Sequence, residues 1–150
     1  MVEKYYTPDI TEFHVGFECE LRNSSSELYE WEPFKIVGVD DGEISGSKMD
    51  WSFYDSANAI KDEMIRVKYL DKQDIEECGF KYAGNDMYDI LEYNDIRGYF
   101  DAVHLIIRGT WVLISIGKKN SDINNFATIF AGAIKNKSEL KKILKMINIF

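Results

Sequence analysis

Apolar and polar side chains alternate along residues 12–21. The apolar positions are Phe13, Val15, Phe17, Cys19 and Leu21, and the positions between them are Glu12, His14, Gly16, Glu18 and Glu20. Alternation with a period of two over ten residues is typical of a β-strand with one face on a core and the other in water. The pattern therefore predicts a strand over 12–21 whose apolar side chains seed the core.

Turn residues divide much of the remaining chain into short strands. Asp41-Gly42, Asn85-Asp86 and Gly109-Thr110 each separate two apolar runs, and these residue types suit hairpin turns. The strands predicted in this way are 34–39, 51–54, 65–70, 80–83, 87–93, 102–108, 111–117 and 126–131. Residues 56–64 fit neither a helix nor a strand clearly.

Two helices are predicted. A short helix near 71–78 begins at the cap residue Asp71 and ends at Gly79, and a second helix near 137–147 is capped by Asn136. Apolar residues of the second helix recur at i, i+3, i+4 and i+7, so one stripe packs on a sheet. Because strands are not alternated with helices, the sequence favours an α+β fold made mainly of antiparallel sheet.

A length of 150 residues predicts one domain, with residues 1–11 as an extended N-terminal arm. The first segment lacks the apolar region of a signal peptide, and no apolar run reaches the ~20 residues that span a bilayer. Cys19 and Cys78 lack metal-site spacing, which indicates reduced thiols. We therefore expect a cytoplasmic protein with no membrane contact.

The net charge is −8. The first 75 residues hold 17 acidic and 8 basic side chains, whereas the last 75 hold 9 and 10. An acidic surface repels phosphate, so nucleic acid is an unlikely partner. Mimicry of a nucleic acid by the acidic half is the weakest of the functions considered.

Several short segments resemble a known group of proteins. They are Tyr5–Pro8, Glu12–Glu18, Ile65–Leu70, Asp74–Glu76, Gly79-Phe80 and Ile134–Leu140. They are similar to short uncharacterised proteins from Bacteroidota genomes and from their phages and mobile elements. The resemblance implies a phage or mobile-element accessory protein, and it carries no activity, cofactor or site residue.

Glu18 and Glu20 form a candidate metal site. Residues two apart on a strand point the same way, with their side chains roughly 7 Å apart. Two such carboxylates suit a divalent cation and would support a metal-dependent hydrolase. His14 lies about 13 Å from Glu18 along a regular strand, so it joins the pair only if Gly16 bends the chain. A solvated strand face is the alternative interpretation.

His104 and Arg108 form a candidate ligand site with Trp51 and Tyr54. The histidine and the arginine share one face of a predicted strand, and arginine binds phosphate or carboxylate with two parallel hydrogen bonds. Aromatic side chains in loop-like segments stack on bases or anchor interfaces. A half-buried structural histidine and aromatic residues that pack under loops remain open as alternatives.

The sequence contains no phosphate-binding loop, no dinucleotide-binding fingerprint, no hydrolase nucleophile elbow and no paired-histidine zinc motif. It therefore favours a non-catalytic binding module over an enzyme, with no cofactor. We expect the partner to be a host or phage protein, and homo-oligomers are possible. The alternatives are sequestration of an anionic small ligand such as a nucleotide, and the hydrolase that would use Glu18 and Glu20.

Overall fold

The computed structural model describes residues 4–22, 30–46, 53–90, 100–119, 121–122 and 125–149. The chain divides into two compact units, Met1–Tyr69 and Leu70–Phe150, and each has its own hydrophobic core. No helix within those ranges is long and apolar enough to cross a membrane. The α+β class is confirmed, because both units contain antiparallel sheet and a helix lies near residue 140. The single-domain organisation stays a prediction.

The first unit is built on an antiparallel sheet in which six strands are described. These are β1 (Tyr5–Tyr6), β2 (Glu18–Arg22), β3 (Trp31–Asp40), β4 (Glu43–Gly46), β5 (Phe53–Asp55) and β6 (Ile65–Lys68). Their order across the sheet is β1-β6-β2-β3-β4-β5. A 3₁₀ turn at Ile10–Glu12 precedes β2, and α1 (Ser56–Lys61) connects β5 to β6. Through β1, part of the predicted N-terminal arm joins the sheet.

The strand predicted over 12–21 is wrong in its first half. Extended pairing begins only at Glu18, where β2 starts. Val15, predicted in the core, has 66% of its surface exposed. Phe17, Cys19 and Leu21 are buried as predicted.

A tight turn at Val15-Gly16 replaces the first half of that strand. The Phe17 N–H donates to the His14 carbonyl at 3.0 Å, and Gly16 has a φ of +92°. A positive φ at the second central position of such a turn is accessible to glycine without strain. The turn is fixed to β3, because the Gly16 N–H donates to the Ile36 carbonyl at 2.7 Å and the Ile36 N–H donates to the Phe17 carbonyl at 2.9 Å.

The second unit is a sheet in which five antiparallel strands are described, accompanied by two helices. The strands are β7 (Lys81–Gly84), β8 (Met87–Ile90), β9 (Ala102–Arg108), β10 (Trp111–Gly117) and β11 (Ala127–Ala133). The helices are α2 (Lys72–Glu77) and α3 (Lys137–Met146). The strand order β11-β10-β9-β8-β7 follows the chain, so each strand pairs with the next.

Turn chemistry and helix caps explain these elements. Asn85 and Asp86 both take positive φ, 51° and 59°, as a two-residue hairpin turn requires. The Asp71 carboxylate accepts the Asp74 N–H at the start of α2. The Asn136 side chain accepts the Glu139 N–H at the start of α3. These contacts satisfy backbone donors that a helix start leaves unpaired.

One face of the second sheet packs against the helices. Leu140 and Leu144 of α3 are fully buried with Leu105 of β9 and Ile114 of β10 in one apolar cluster. The predicted apolar stripe of the helix therefore contacts the core. The opposite face of this sheet carries the polar residues described next.

Candidate functional site

A row of polar side chains crosses the sheet of the second unit. The strand register places Asp89 of β8 opposite His104 of β9, and His104 opposite Ser115 of β10. Lys81 of β7 extends the row beyond Asp89, and Thr128 of β11 extends it beyond Ser115. Directly paired residues share a face of the sheet. Their chain neighbours in β9 and β10 belong largely to the apolar core, so the row lies on the face opposite that core.

Asp89 and His104 are joined by a hydrogen bond in this row. An Asp89 carboxylate oxygen contacts Nδ1 of the imidazole, and the two side chains are only 15% and 14% exposed. A carboxylate that accepts the Nδ1 proton fixes both the tautomer and the orientation of the ring. Nε2 of His104 is left as the chemically available atom, and it has no hydrogen-bond partner among the residues described.

Phe126 packs against the imidazole of His104. The two rings meet edge to face, with centroids 4.0 Å apart. Phe126 fits there because Gly117 leaves room beneath it, and a Cβ at Gly117 would collide with the ring. The imidazole is therefore held by two contacts, with the Asp89 carboxylate and with the ring of Phe126.

A cleft of about 400 Å³ opens beside Asp89, where β7 begins and β8 ends. Its described lining consists of Gly79, Lys81, Tyr82, Ala83, Asp89, Ile90 and Lys119. The volume falls within the roughly 300–1,000 Å³ range of small-molecule sites. His104 does not line the cleft, but its partner Asp89 does. The carboxylate therefore connects the buried histidine with a solvent-accessible space.

Two lysines give the cleft its electrostatic character. Neither Lys81 nor Lys119 has a carboxylate within ion-pairing distance in the described part of the chain. The backbone N–H of Lys119 donates a hydrogen bond to the Asp101 carboxylate, and this bond fixes the position of the Lys119 backbone just after the end of β10. The cleft therefore presents two ammonium groups beside one carboxylate that already accepts a hydrogen bond.

Tyr82 contributes to the lining of the cleft, but its side chain lies on the other face of the sheet, because it pairs with Tyr88 of the apolar core. Its side chain is 46% exposed and meets Tyr88 edge to face at 5.2 Å between ring centroids. The Lys72 ammonium lies 4.3 Å from the Tyr82 ring centroid. The Tyr82 ring therefore lies on the side of the sheet where α2 packs, opposite the row that contains Lys81 and Asp89.

The structure separates the predicted ligand residues. His104 and Arg108 share a face of β9, but four residues of strand hold them about 13 Å apart. Arg108 is exposed and pairs across the sheet with Trp111. Trp51 lies outside the described residues. Tyr54 belongs to β5, where its backbone pairs with Ile44 of the first unit.

Glu18 and Glu20 lie on the same face of β2, as predicted. Glu20 is occupied by an ion pair, since its Oε2 accepts the Arg66 Nε–H at 2.6 Å. The guanidinium of Arg66 in turn lies 3.9 Å from the Tyr5 ring centroid and 4.2 Å from that of Trp31.

His14 does not join the two glutamates. Its Nδ1 contacts the Glu12 carbonyl at 2.9 Å, within the segment that turns at Gly16. No group of three His, Cys, Asp or Glu side chains that could hold a metal ion occurs in the described ranges. The bend at Gly16 therefore does not build the three-residue site that the sequence left open.

Sequence reasoning missed Asp89, Lys81 and Lys119. A signal existed for the first two, because the Asn85-Asp86 turn fixes the hairpin register that sets Lys81 against Asp89. The pairing of Asp89 with His104 had no such signal, because a long connection joins β8 to β9.

A scan against protein-family models finds no match for this chain, and searches of curated proteins and of solved structures find none either.

Proposed function

We propose that the chain is a non-catalytic binding module that holds a small phosphorylated anion in the cleft beside Asp89. The observation that supports this is the pair of lysines, Lys81 and Lys119, on a cleft of suitable size. Lysine binds phosphate as a point charge, and two lysines at one site favour a group with more than one negative charge.

One further contact supports a small phosphorylated anion as the ligand class. The hydrogen bond from His104 takes up part of the negative charge of Asp89, so the two lysines dominate the cleft.

Calorimetric titration tests the proposal. Inorganic phosphate, pyrophosphate and a panel of nucleoside mono- and triphosphates would be added to the wild type and to Lys81→Gln and Lys119→Gln. We expect pyrophosphate or a nucleotide to bind, and each substitution to weaken binding about tenfold, which corresponds to about 1.4 kcal/mol. Lys142→Gln on the exposed face of α3 is the matched control. No heat with any anion, or unchanged affinity in both cleft variants, would reject the site.

A second candidate function is binding of a host or phage protein by strand addition at β11, in line with the phage resemblance. In the described sheet β11 is an edge strand, and its seven residues include no charged side chain and no proline. Natural edge strands usually carry such residues to prevent pairing with other chains. Ile129 forms a bulge, so the regular part of the edge begins at Phe130.

Hydrogen-bond parity identifies the open positions of this edge. The Ile134 N–H donates to Thr110 at 2.7 Å, toward β10. Because backbone groups alternate along a strand, Ala131 and Ala133 direct their N–H and C=O groups away from β10. Trp111, 53% exposed, lies opposite Ala133 on the same face and would flank an added strand.

A proline substitution tests strand addition. Ala131→Pro removes one outward N–H and leaves the bonds to β10, whereas Ala131→Val keeps the N–H. In affinity capture from a host lysate, we expect a specific protein with the wild type and with Ala131→Val, and its loss with Ala131→Pro. A partner that binds all three equally, or no recovered partner, argues against this edge.

A further inference from the structure

The carboxylate of Asp89 has one oxygen that is open to a ligand. The other oxygen contacts Nδ1 of His104, and the open one accepts a hydrogen bond from no described residue. No fully buried side-chain oxygen or nitrogen in the described ranges lacks a partner, so the open oxygen is accessible to solvent. Asp89 lines the cleft, although its side chain is only 15% exposed. A molecule bound in the cleft can therefore donate a hydrogen bond to this oxygen.

The cleft combines two positive charges with one negative charge. Lys81 lies directly opposite Asp89 on neighbouring strands, and Lys119 lines the same cleft. A phosphate monoester carries close to two negative charges at neutral pH. When both lysines hold it, those charges lie near the Asp89 carboxylate, and like charges repel. A ligand that places a cation of its own against Asp89 removes this repulsion.

We propose that the ligand of the cleft is a phosphate monoester that also carries a primary amine. Lys81 and Lys119 bind its phosphate, and the open oxygen of Asp89 accepts a hydrogen bond from its ammonium group. A dianion and a cation on the ligand thus complement two cations and an anion in the cleft. The inference rests on the proposed function, because it takes phosphate binding by the two lysines as given. It adds a role for Asp89, which selects among phosphorylated ligands.

Three ligands of nearly equal size test this selection on the full chain. Ethyl phosphate, 2-hydroxyethyl phosphate and 2-aminoethyl phosphate differ only in the group that would meet Asp89. A hydrogen bond between two charged groups is among the strongest in proteins, so calorimetry should show the amine binding at least about tenfold more tightly than ethyl phosphate. The hydroxyl compound should gain less than the amine.

The outcomes of this titration separate the inference from the proposed function. Equal affinity for all three ligands would leave the lysine site standing and overturn the role of Asp89. An equal gain for the hydroxyl compound and the amine would overturn the choice of a cation. If none of the three binds, the phosphate site itself fails and the inference fails with it.

Asp89→Asn tests the carboxylate directly. The amide oxygen of asparagine can still accept the hydrogen bond from His104, but the negative charge is lost. The preference for 2-aminoethyl over ethyl phosphate should therefore disappear. The preference compares two ligands on one variant, so partial unfolding does not imitate its loss. Asp86→Asn removes the same charge from the exposed β7–β8 turn, outside the described lining, and should keep the preference. A preference that survives in Asp89→Asn would contradict the proposal.

A phosphate diester separates a free phosphorylated amine from a lipid headgroup, which has the same amine. Glycerophosphoethanolamine carries the amine on a phosphate with a single negative charge, as a lipid headgroup does. Two lysines favour the monoester dianion, so 2-aminoethyl phosphate should bind several-fold more tightly than this diester. Equal affinity for the two would overturn the assignment of a monoester and point to a headgroup.

Discussion

At the scale of single residues, the Asp89–His104 pair combines low exposure with a hydrogen bond to a carboxylate. A hydrogen bond to a charged group contributes about 1.5–3 kcal/mol, and removal of one partner leaves the other nearly buried without its hydrogen bond. We expect Asp89→Ala and His104→Ala to lower the free energy of unfolding, with a coupling energy of about 2 kcal/mol in a double-mutant cycle measured by urea denaturation. Additive effects of the two substitutions would mean that the pair makes no net contribution.

Cys19 makes stability depend on pH. Burial first, and the negative charge of Glu20 second, raise the pKa of its thiol from 9.0 to about 12. Between these values the unfolded chain loses the proton while the folded chain keeps it, so unfolding is favoured as the pH rises. The contribution of this thiol to the free energy of unfolding is fully present below pH 9 and is lost as the pH rises toward 12. The slope reaches at most about 1.4 kcal/mol per pH unit.

Cys19→Ala isolates this contribution from the other groups that titrate at alkaline pH. The variant loses the thiol, so its free energy of unfolding should fall less steeply than that of the wild type between pH 9 and pH 12. Chemical denaturation at several pH values measures the difference. Parallel pH profiles would show that the thiol has the same pKa in the folded and unfolded chains.

At the scale of elements, the turn at Val15-Gly16 determines where β2 begins. A Cβ at Gly16 meets no atom within 4 Å, but the φ of +92° strains any other residue. Gly16→Ala should therefore lower the free energy of unfolding by about 1 kcal/mol through the backbone alone. Val15→Ala, on an exposed side chain in the same turn, should change it by less than about 0.5 kcal/mol. A neutral Gly16→Ala would contradict the turn.

The same turn shows where sequence patterns suffice and where they do not. The hairpin of β9 and β10 could be predicted to the residue, because Gly109-Thr110 fixes the turn and the flanking runs are apolar. The alternating pattern around Gly16 is compatible with a strand as well as with a turn. It contains no information about the hydrogen bonds by which the backbone of β3 holds the turn. In the candidate site, His104 stood out as a polar residue in an apolar strand. Asp89 did not, because β8 ends at Ile90 and β9 begins only at Ala102, too far along the chain for a two-residue hairpin turn to set their register.

At the scale of the whole molecule, the length predicts one domain and the structure contains two cores. If the chain is one cooperative domain, damage to either core must destabilise both units. Ile65→Ala acts on the first core and Leu144→Ala on the second, and both side chains are fully buried. Each substitution should lower the free energy of unfolding by about 2–5 kcal/mol.

Amide hydrogen exchange followed by mass spectrometry distinguishes the two cases, because it reports β6 and β9 separately in one sample. With a single cooperative unit, Ile65→Ala should accelerate exchange in β9 as much as in β6, and Leu144→Ala should do the same in reverse. Val15→Ala serves as the control that leaves both strands protected. Acceleration confined to the unit that carries the substitution would show that the two cores unfold independently. Ligand binding to the second unit would then leave the stability of the acidic first unit unchanged.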